Sequence, residues 1–350
     1  MSVAASPTGT ELRLKPEQVL VAELVDHHHH HQPPLRRGRG GGEEQGCDHR
    51  RGSATETAGL IDSGRACIVP RMFQAGLLKD KIFVVTGGGS GLGAEMARRF
   101  AELGAQVVVL GRRKEKLLEV VAQIERDGGK ASAHSCDIRD FAAVQEVASR
   151  VGAVDGLVNN AAGNFLAAAE DLSANGFKAV VDIVLNGTFH CTSAFGRRMI
   201  EAGKGGAILN IVTTYAWTGS AFVLPSACAK AGVLVLTRSL AVEWAAYRIR
   251  VNAIAPGPVP TEGAFSRLMP DPSIEEMARN RVPLKRFGTP REIADAAVFL
   301  MSDGSGYVTG DCLTVDGGEW LRNGGEFSWA TDYDRENLKQ MLKAMRGKEK

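Results

Sequence analysis

From Leu77 onward the chain alternates short β-branched runs with longer helical stretches, and this alternation limits the possible folds more than any other feature. The apolar runs are strand-length, and each stretch between them is long enough to carry the chain back across a sheet, as parallel pairing requires. Strands are expected at 82–86, 106–110, 131–135, 156–159, 207–212, 250–254 and 313–315, with helices between them. The expected fold is therefore a single doubly wound (Rossmann) α/β domain with a seven-stranded parallel sheet. A chain of 350 residues, 44% hydrophobic and 23% charged, has enough apolar side chain to fill one large core.

Residues 1–70 differ in kind. They contain five consecutive histidines at 27–31, Pro33-Pro34 and an Arg/Gly tract at 36–42, with no sustained apolar period. A low-complexity, disordered leader is expected there, followed by a catalytic domain over 71–350. Met72 stays open as an alternative translation start. Glu11, Glu17, Glu23, Asp26, Glu43 and Glu44 argue against a mitochondrial transit peptide, and the basic-then-apolar layout of a secretory signal is missing. The six cysteines are scattered without a CxxC pair or zinc-ligand spacing, which suits free thiols in a reducing compartment and no metal. No apolar run reaches the roughly 18 residues of a membrane span. The net charge of +2 carries no field that would select nucleic acid. A cytoplasmic protein is expected, with a mitochondrial one open if the source is eukaryotic.

Directly after the first strand comes Gly87-Gly88-Gly89-Ser90-Gly91-Leu92-Gly93, opening a helical run. Glycines there let the backbone turn tightly and approach a pyrophosphate, whose charge the helix N-terminus holds. The second strand ends at Gly111 and continues into Arg112 and Arg113, where an NAD enzyme usually carries an acid for the ribose 2′-hydroxyl. Arginine without that acid favours a 2′-phosphate, hence NADPH.

The TGxxxGxG spacing resembles the short-chain dehydrogenase/reductase family, and the resemblance runs from Leu77 to the C-terminus. It implies further cofactor contacts: Asp137 with Ile138 at the adenine, Asn160-Ala161 near the nicotinamide ribose, and Pro256, Gly257 and Val259 around the nicotinamide. That family's Tyr-x-x-x-Lys is broken here, because Lys230 is present but Ser226 holds the tyrosine position, and Thr213 replaces the usual upstream serine. A serine hydroxyl is too weak an acid to replace a phenol, so a plain alcohol dehydrogenase is hard to defend. Tyr215 lies close by, on the loop leaving the fifth strand.

Thr213-Thr214-Tyr215, residues 160–165 (NAAGNF), 182–188 (DIVLNGT) and 263–268 (GAFSRL) together resemble 2,4-dienoyl-CoA reductases of the mitochondrial type. That resemblance implies NADPH-dependent reduction of a dienoyl thioester, with Tyr215 and Asn164 holding the thioester oxyanion. It also implies that Lys230 holds the ribose, Ser226 bonds the substrate or the surroundings of Lys230, and Asn186 fixes a water near that lysine. Arg139 and Arg267 would pair with coenzyme A phosphates, and Phe165 and Ser173 would line the acyl entrance. Family members are commonly homotetramers. Reduction of a trans-2-enoyl-CoA, or a catalytically silent NADP-binding protein, also accommodates these residues.

Overall fold

Val84, Val85, Val107, Val109, Leu110, Leu157 and Val158 are fully buried, because helices cover both faces of the sheet that they form. The computed structural model describes residues 72–261, 272–325 and 327–346. The leader expected over 1–70 and Arg267 with its 263–268 segment lie outside the described residues.

Seven strands pair in parallel throughout, in the order β3-β2-β1-β4-β5-β6-β7. They are β1 (Ile82–Thr86), β2 (Gln106–Gly111), β3 (Lys130–Ser135), β4 (Gly156–Asn159), β5 (Gly206–Ile211), β6 (Ile249–Pro256) and β7 (Cys312–Val315). The expected bounds of β1 and β4 hold. β6 runs longer than expected, since Ile249 still pairs with Gly206 on one side and Pro256 with Val315 on the other. Proline, without an N–H, then closes the strand.

The helices are α1 (Gly91–Glu102), α2 (Lys114–Arg126), α3 (Phe141–Val151), α4 (Ala174–Val181), α5 (Gly187–Ala202), α6 (Tyr215–Thr218), α7 (Leu224–Glu243), α8 (Pro272–Arg281), α9 (Pro290–Met301), α10 (Glu319–Gly324) and α11 (Arg335–Arg346). α1, α2 and α9 pack on one face around Phe83, Phe100 and Ile124. α3, α5 and the C-terminal part of α7 cover the other around Leu157, Phe195 and Met199. Across α1 and α9, Arg99 reaches Asp295 at 2.6 Å and Arg291 reaches Glu102 at 2.6 Å. No helix among the described residues is long and apolar enough to cross a membrane.

β2 and β3 lie to one side of β1 and β4 to the other, so the winding reverses between β1 and β4. In an open α/β sheet such a reversal opens a crevice at the carboxyl ends of the strands. The glycine-rich turn, Arg112, Asp137, Asn160 and the Pro256-Gly257-Pro258 segment all follow strand ends at that edge.

Candidate active site

The glycine-rich turn is shaped by contacts from below. Gly87 takes a left-handed φ of +65°, and a Cβ added to Gly93 would stand 2.4 Å from the Gly87 carbonyl oxygen and 2.5 Å from Asn160 Nδ2. Only hydrogen fits at Gly93. Asn160 braces the turn: its Nδ2 donates to Thr86 O at 3.0 Å, and its N–H and that of Ala161 donate to Thr86 Oγ1 at 3.0 and 3.1 Å. The side chain expected near the nicotinamide ribose is thus engaged at the β1–β4 junction, and Thr86, which sequence reasoning passed over, is its hub.

Ser90 stands at the N-cap of α1 but makes no side-chain bond to the helix, and no acid occupies the first turn. The leading N–H groups of α1 therefore face the crevice, as an anion at a helix N-terminus requires. Ser90 Oγ instead accepts from Arg113 Nη2 at 3.2 Å, which draws that guanidinium to the glycine turn. Leu92 packs into the core beneath, and a Cβ on Gly91 would lie 3.5 Å from Thr261 Cβ on the segment following β6. Gly88 and Gly89 sit over Val109 and Leu117. This cradle fits a dinucleotide pyrophosphate: it is closed to side chains, ends at the uncapped N-terminus of α1 and is flanked by arginine.

At the next two strand ends, Arg139 forks onto Asp137, with Nε 3.0 Å from both carboxylate oxygens and Nη2 2.5 Å from Oδ2. These bonds, aided by the charge of Arg112, hold the Asp137 carboxyl below its ordinary range. Arg139, expected at coenzyme A phosphates, is engaged here at the end of β3. Ile138 is buried, its carbonyl accepts from His190 Nδ1 at 2.9 Å, and a Cβ on Gly187 would meet its Cδ1 at 2.6 Å. His190 is the strut under this wall.

The hydroxyl cluster lies where β5 meets α7. Ser226 and Lys230 share one buried face of α7, one turn apart, at 2% and 7% exposure. The Tyr215 hydroxyl lies 3.0 Å from Ser226 Oγ. Tyr215 opens the short helix α6 rather than sitting in an open loop, and its N–H donates to Thr213 Oγ1 at 3.2 Å. Lys230 Nζ donates to the carbonyl of Ile211, the last residue of β5, and burial pushes its pKa down to about 8. Beneath, Asn159 Nδ2 donates to Thr192 and Asn210, and Asn210 Nδ2 to Thr237 on α7, each at 2.9 Å. This buried ladder fixes α7 against β4 and β5.

Asn164 Oδ1 accepts from the N–H of Phe165 at 2.9 Å, which leaves the Nδ2 donors for a ligand. Its loop is tied to the α6–α7 connection by Ala167 N–H donating to Phe222 O at 2.9 Å. Phe165 packs on the first turn of α4, whose N-cap is Ser173, accepting from Gly176 N at 3.0 Å. Ser173 is therefore a helix cap. Asn186 ends a π-helical turn, Asp182–Asn186, between α4 and α5. Its Nδ2 donates to Asp182 Oδ1 at 3.0 Å, so its side chain bonds within its own turn, and the link to α7 is Leu185 packing on Gly232. At the end of β6, Gly257 N–H donates to Val315 O at 3.0 Å, a Cβ there would lie 2.6 Å from Asp316 Cα, and Val259 packs on the core.

A doubly wound sheet carrying this cradle, with a buried lysine beside a hydroxyl pair, is the framework of a nicotinamide-dependent oxidoreductase. The family model described as enoyl-(acyl carrier protein) reductase matches residues 87–319, and the chain belongs to this short-chain dehydrogenase/reductase family. A Bacillus subtilis (strain 168) relative named "probable 2,4-dienoyl-CoA reductase [(2E)-enoyl-CoA-producing]" is 48% identical over 70% of this chain and 98% of its own length. A Caenorhabditis elegans relative named "probable 2,4-dienoyl-CoA reductase 3 [(3E)-enoyl-CoA-producing]" is 38% identical over 81% of this chain and 99% of its own. A solved Beutenbergia cavernae structure, described as an NAD(P) dependent gluconate 5-dehydrogenase with NADP bound at low occupancy, is 37% identical. It superposes with a TM-score of 0.67 over 70% of this chain and 98% of that one.

Proposed function

We propose that the enzyme reduces 2,4-dienoyl-CoA thioesters to 3-enoyl-CoA with NADPH. The observation that carries the proposal is the Tyr215 hydroxyl, 3.0 Å from Ser226 and reaching α7 from the β5 side. Carbonyl reduction needs the phenol beside the carbon that takes the hydride. Reduction of a dienoyl thioester needs its donor at an oxygen remote from that carbon, and a phenol entering from another element suits that demand.

A bound NADPH would supply the hydride to C5. Gly87 to Gly93 and the N-terminus of α1 would hold its pyrophosphate, Arg112 and Arg113 its 2′-phosphate, Asp137 and Ile138 its adenine, and Lys230 its ribose. As C5 gains hydride, the C4–C5 π electrons shift along the conjugated chain and the charge reaches the thioester oxygen. The Tyr215 hydroxyl and the Asn164 amide donate hydrogen bonds to that oxyanion. The protonated Lys230 keeps the local potential positive, and Ser226 orients the phenol. A proton from water, added at C2 of the dienolate with hydroxide left to the solvent, leaves the C3–C4 double bond and gives 3-enoyl-CoA.

The same dienolate protonated at C4 gives 2-enoyl-CoA, the product in the name of the 48%-identical Bacillus subtilis relative. The two products differ only in where one proton lands. Purified enzyme with 2,4-hexadienoyl-CoA and NADPH in deuterated water tests both: cofactor oxidation reports turnover, and NMR locates deuterium at C2 or C4. Absence of NADPH oxidation with every dienoyl chain length tried, or turnover of trans-2-enoyl-CoA alone, defeats the proposal. We further propose a homotetramer, as family likeness implies; Val235 and Val242 on α7 and Phe189 on α5 are exposed at 60%, 81% and 54%, an apolar surface suited to subunit contact.

A further inference from the structure

Trp217 and Trp320 come from different strand ends, yet their rings meet edge to face with centroids 5.5 Å apart at 84°. Trp217 is two residues beyond Tyr215 on α6. Trp320 is in the first turn of α10, just past residue 319, where the family match ends. The C-terminal segment therefore brings an aromatic side chain to the helix that carries the proposed oxyanion donor.

Trp320 is placed from both sides. The Asp316 carboxylate accepts from Gly318 N at 2.8 Å and from Trp320 N at 2.9 Å. Asp316 also packs against Gly257 of the Pro256-Gly257-Pro258 segment so closely that a Cβ there would stand 2.6 Å from its Cα. On the outer side, Arg322 donates to the carbonyl of Arg281 at 3.2 Å and pairs with Asp332. One turn thus couples the end of β6 to the position of an indole. Trp217 stays 37% exposed, so the pair is not sealed into the core and keeps apolar ring surface accessible.

Resting on the proposed function, we infer that the Trp217–Trp320 pair is the wall against which the acyl tail beyond C5 lies. Trp320, supplied by the C-terminal segment, is then a specificity-determining residue for chain length. The thioester end is held at Tyr215, and C5 must meet the nicotinamide beside the Pro256-Gly257-Pro258 segment. The tail leaves from C5, on the side where Asp316 anchors Trp320 to that segment. Two indoles meeting edge to face offer apolar ring surface to methylenes and ask little hydrogen bonding of them, which suits an alkyl chain and not a phosphate or a sugar.

The test compares Trp320→Ala and Trp320→Phe with wild type on hexadienoyl-, decadienoyl- and tetradecadienoyl-CoA. Trp320→Ala should change the ratio of kcat/KM between the longest and shortest substrates by on the order of tenfold. NADPH affinity should be unchanged, and Trp320→Phe should restore most of the ratio. An equal loss at every length, or no change, overturns the inference. Saturated acyl-CoAs of the same lengths, titrated by tryptophan fluorescence, separate this from the reaction assignment, because binding needs no turnover. If wild-type affinity rises with chain length and Trp320→Ala abolishes that rise, the wall stands even if no dienoyl thioester is reduced. If the rise survives in Trp320→Ala, or wild type shows none, the wall falls even if the reaction assignment holds. Should Trp320→Ala fail to give a cooperative thermal melt, Trp320→Leu is read in the same way.

Discussion

Replacing Tyr215 by Phe removes one hydroxyl and keeps the ring, and its consequences separate into chemistry and stability. The chemical loss is that of one donor aimed at a developing oxyanion, about 3 kcal/mol or roughly 10²-fold in kcat. KM and NADPH affinity should change little, because the lost bond strengthens only as charge reaches the thioester oxygen. The structural loss is set by Ser226, 2% exposed, whose Oγ loses its 3.0 Å partner. An unpaired buried hydroxyl costs about 1–3 kcal/mol. Adding Ser226→Ala removes the orphaned hydroxyl, so the double variant should melt above Tyr215→Phe while its kcat stays low. NADPH oxidation, thermal melts and NADPH binding by fluorescence measure the three effects. A kcat within threefold of wild type refutes the role of Tyr215, and parallel losses of kcat and NADPH affinity point to a collapsed cofactor site instead.

Gly93→Ala places a methyl 2.4 Å from the Gly87 carbonyl oxygen, so it should weaken NADPH binding at least tenfold and cost about 1–3 kcal/mol of stability, read by titration and chemical denaturation. Arg113→Ala should lower the preference for NADPH over NADH by on the order of tenfold in kcat/KM, since its guanidinium is drawn to Ser90 in the glycine turn. Burial lowers the Lys230 pKa from 10.5 to about 8, so its ammonium is lost as pH rises through about 8, and NADPH affinity should fall over that interval. Between those two values the unfolded chain binds the extra proton, so the cofactor-free protein should gain stability from this group as pH rises across the window. Lys230→Arg, which stays charged, should remove the alkaline limb of the affinity profile.

Much of the fold was legible because a parallel sheet buried on both faces writes continuous apolar runs into its strands, as at 83–85 and 107–110. The cofactor cradle was legible for a related reason: tight turns and close backbone approach demand glycine, and Gly87 and Gly93 have no substitute. What stayed hidden were side chains whose partners are distant in sequence. Nothing local distinguishes Thr86 from any other polar residue ending a strand, yet it accepts two N–H groups from a segment more than 70 residues away. His190 under Ile138 is the same case across 52 residues. Ser173, expected at the acyl entrance, also carries the local signal of a serine before a helical run, and it caps α4. The π-helical turn at Asp182–Asn186 has no periodic signature, and it turns Asn186 onto Asp182.

Tyr215 and Ser226 show how a site can keep a chemical layout while changing which residue supplies it. A buried face of α7 still presents a hydroxyl and an ammonium one turn apart, but the serine is too short and too weak an acid to act alone. The phenol arrives from β5 and ends one hydrogen bond from that hydroxyl, so the hydroxyl pair sits beside Lys230 while the ring approaches from a different side. Under the proposed function, the missing helix tyrosine is a relocation of the donor and not its deletion, which would be the geometric difference between reducing a carbonyl carbon and stabilising charge at the far end of a conjugated thioester.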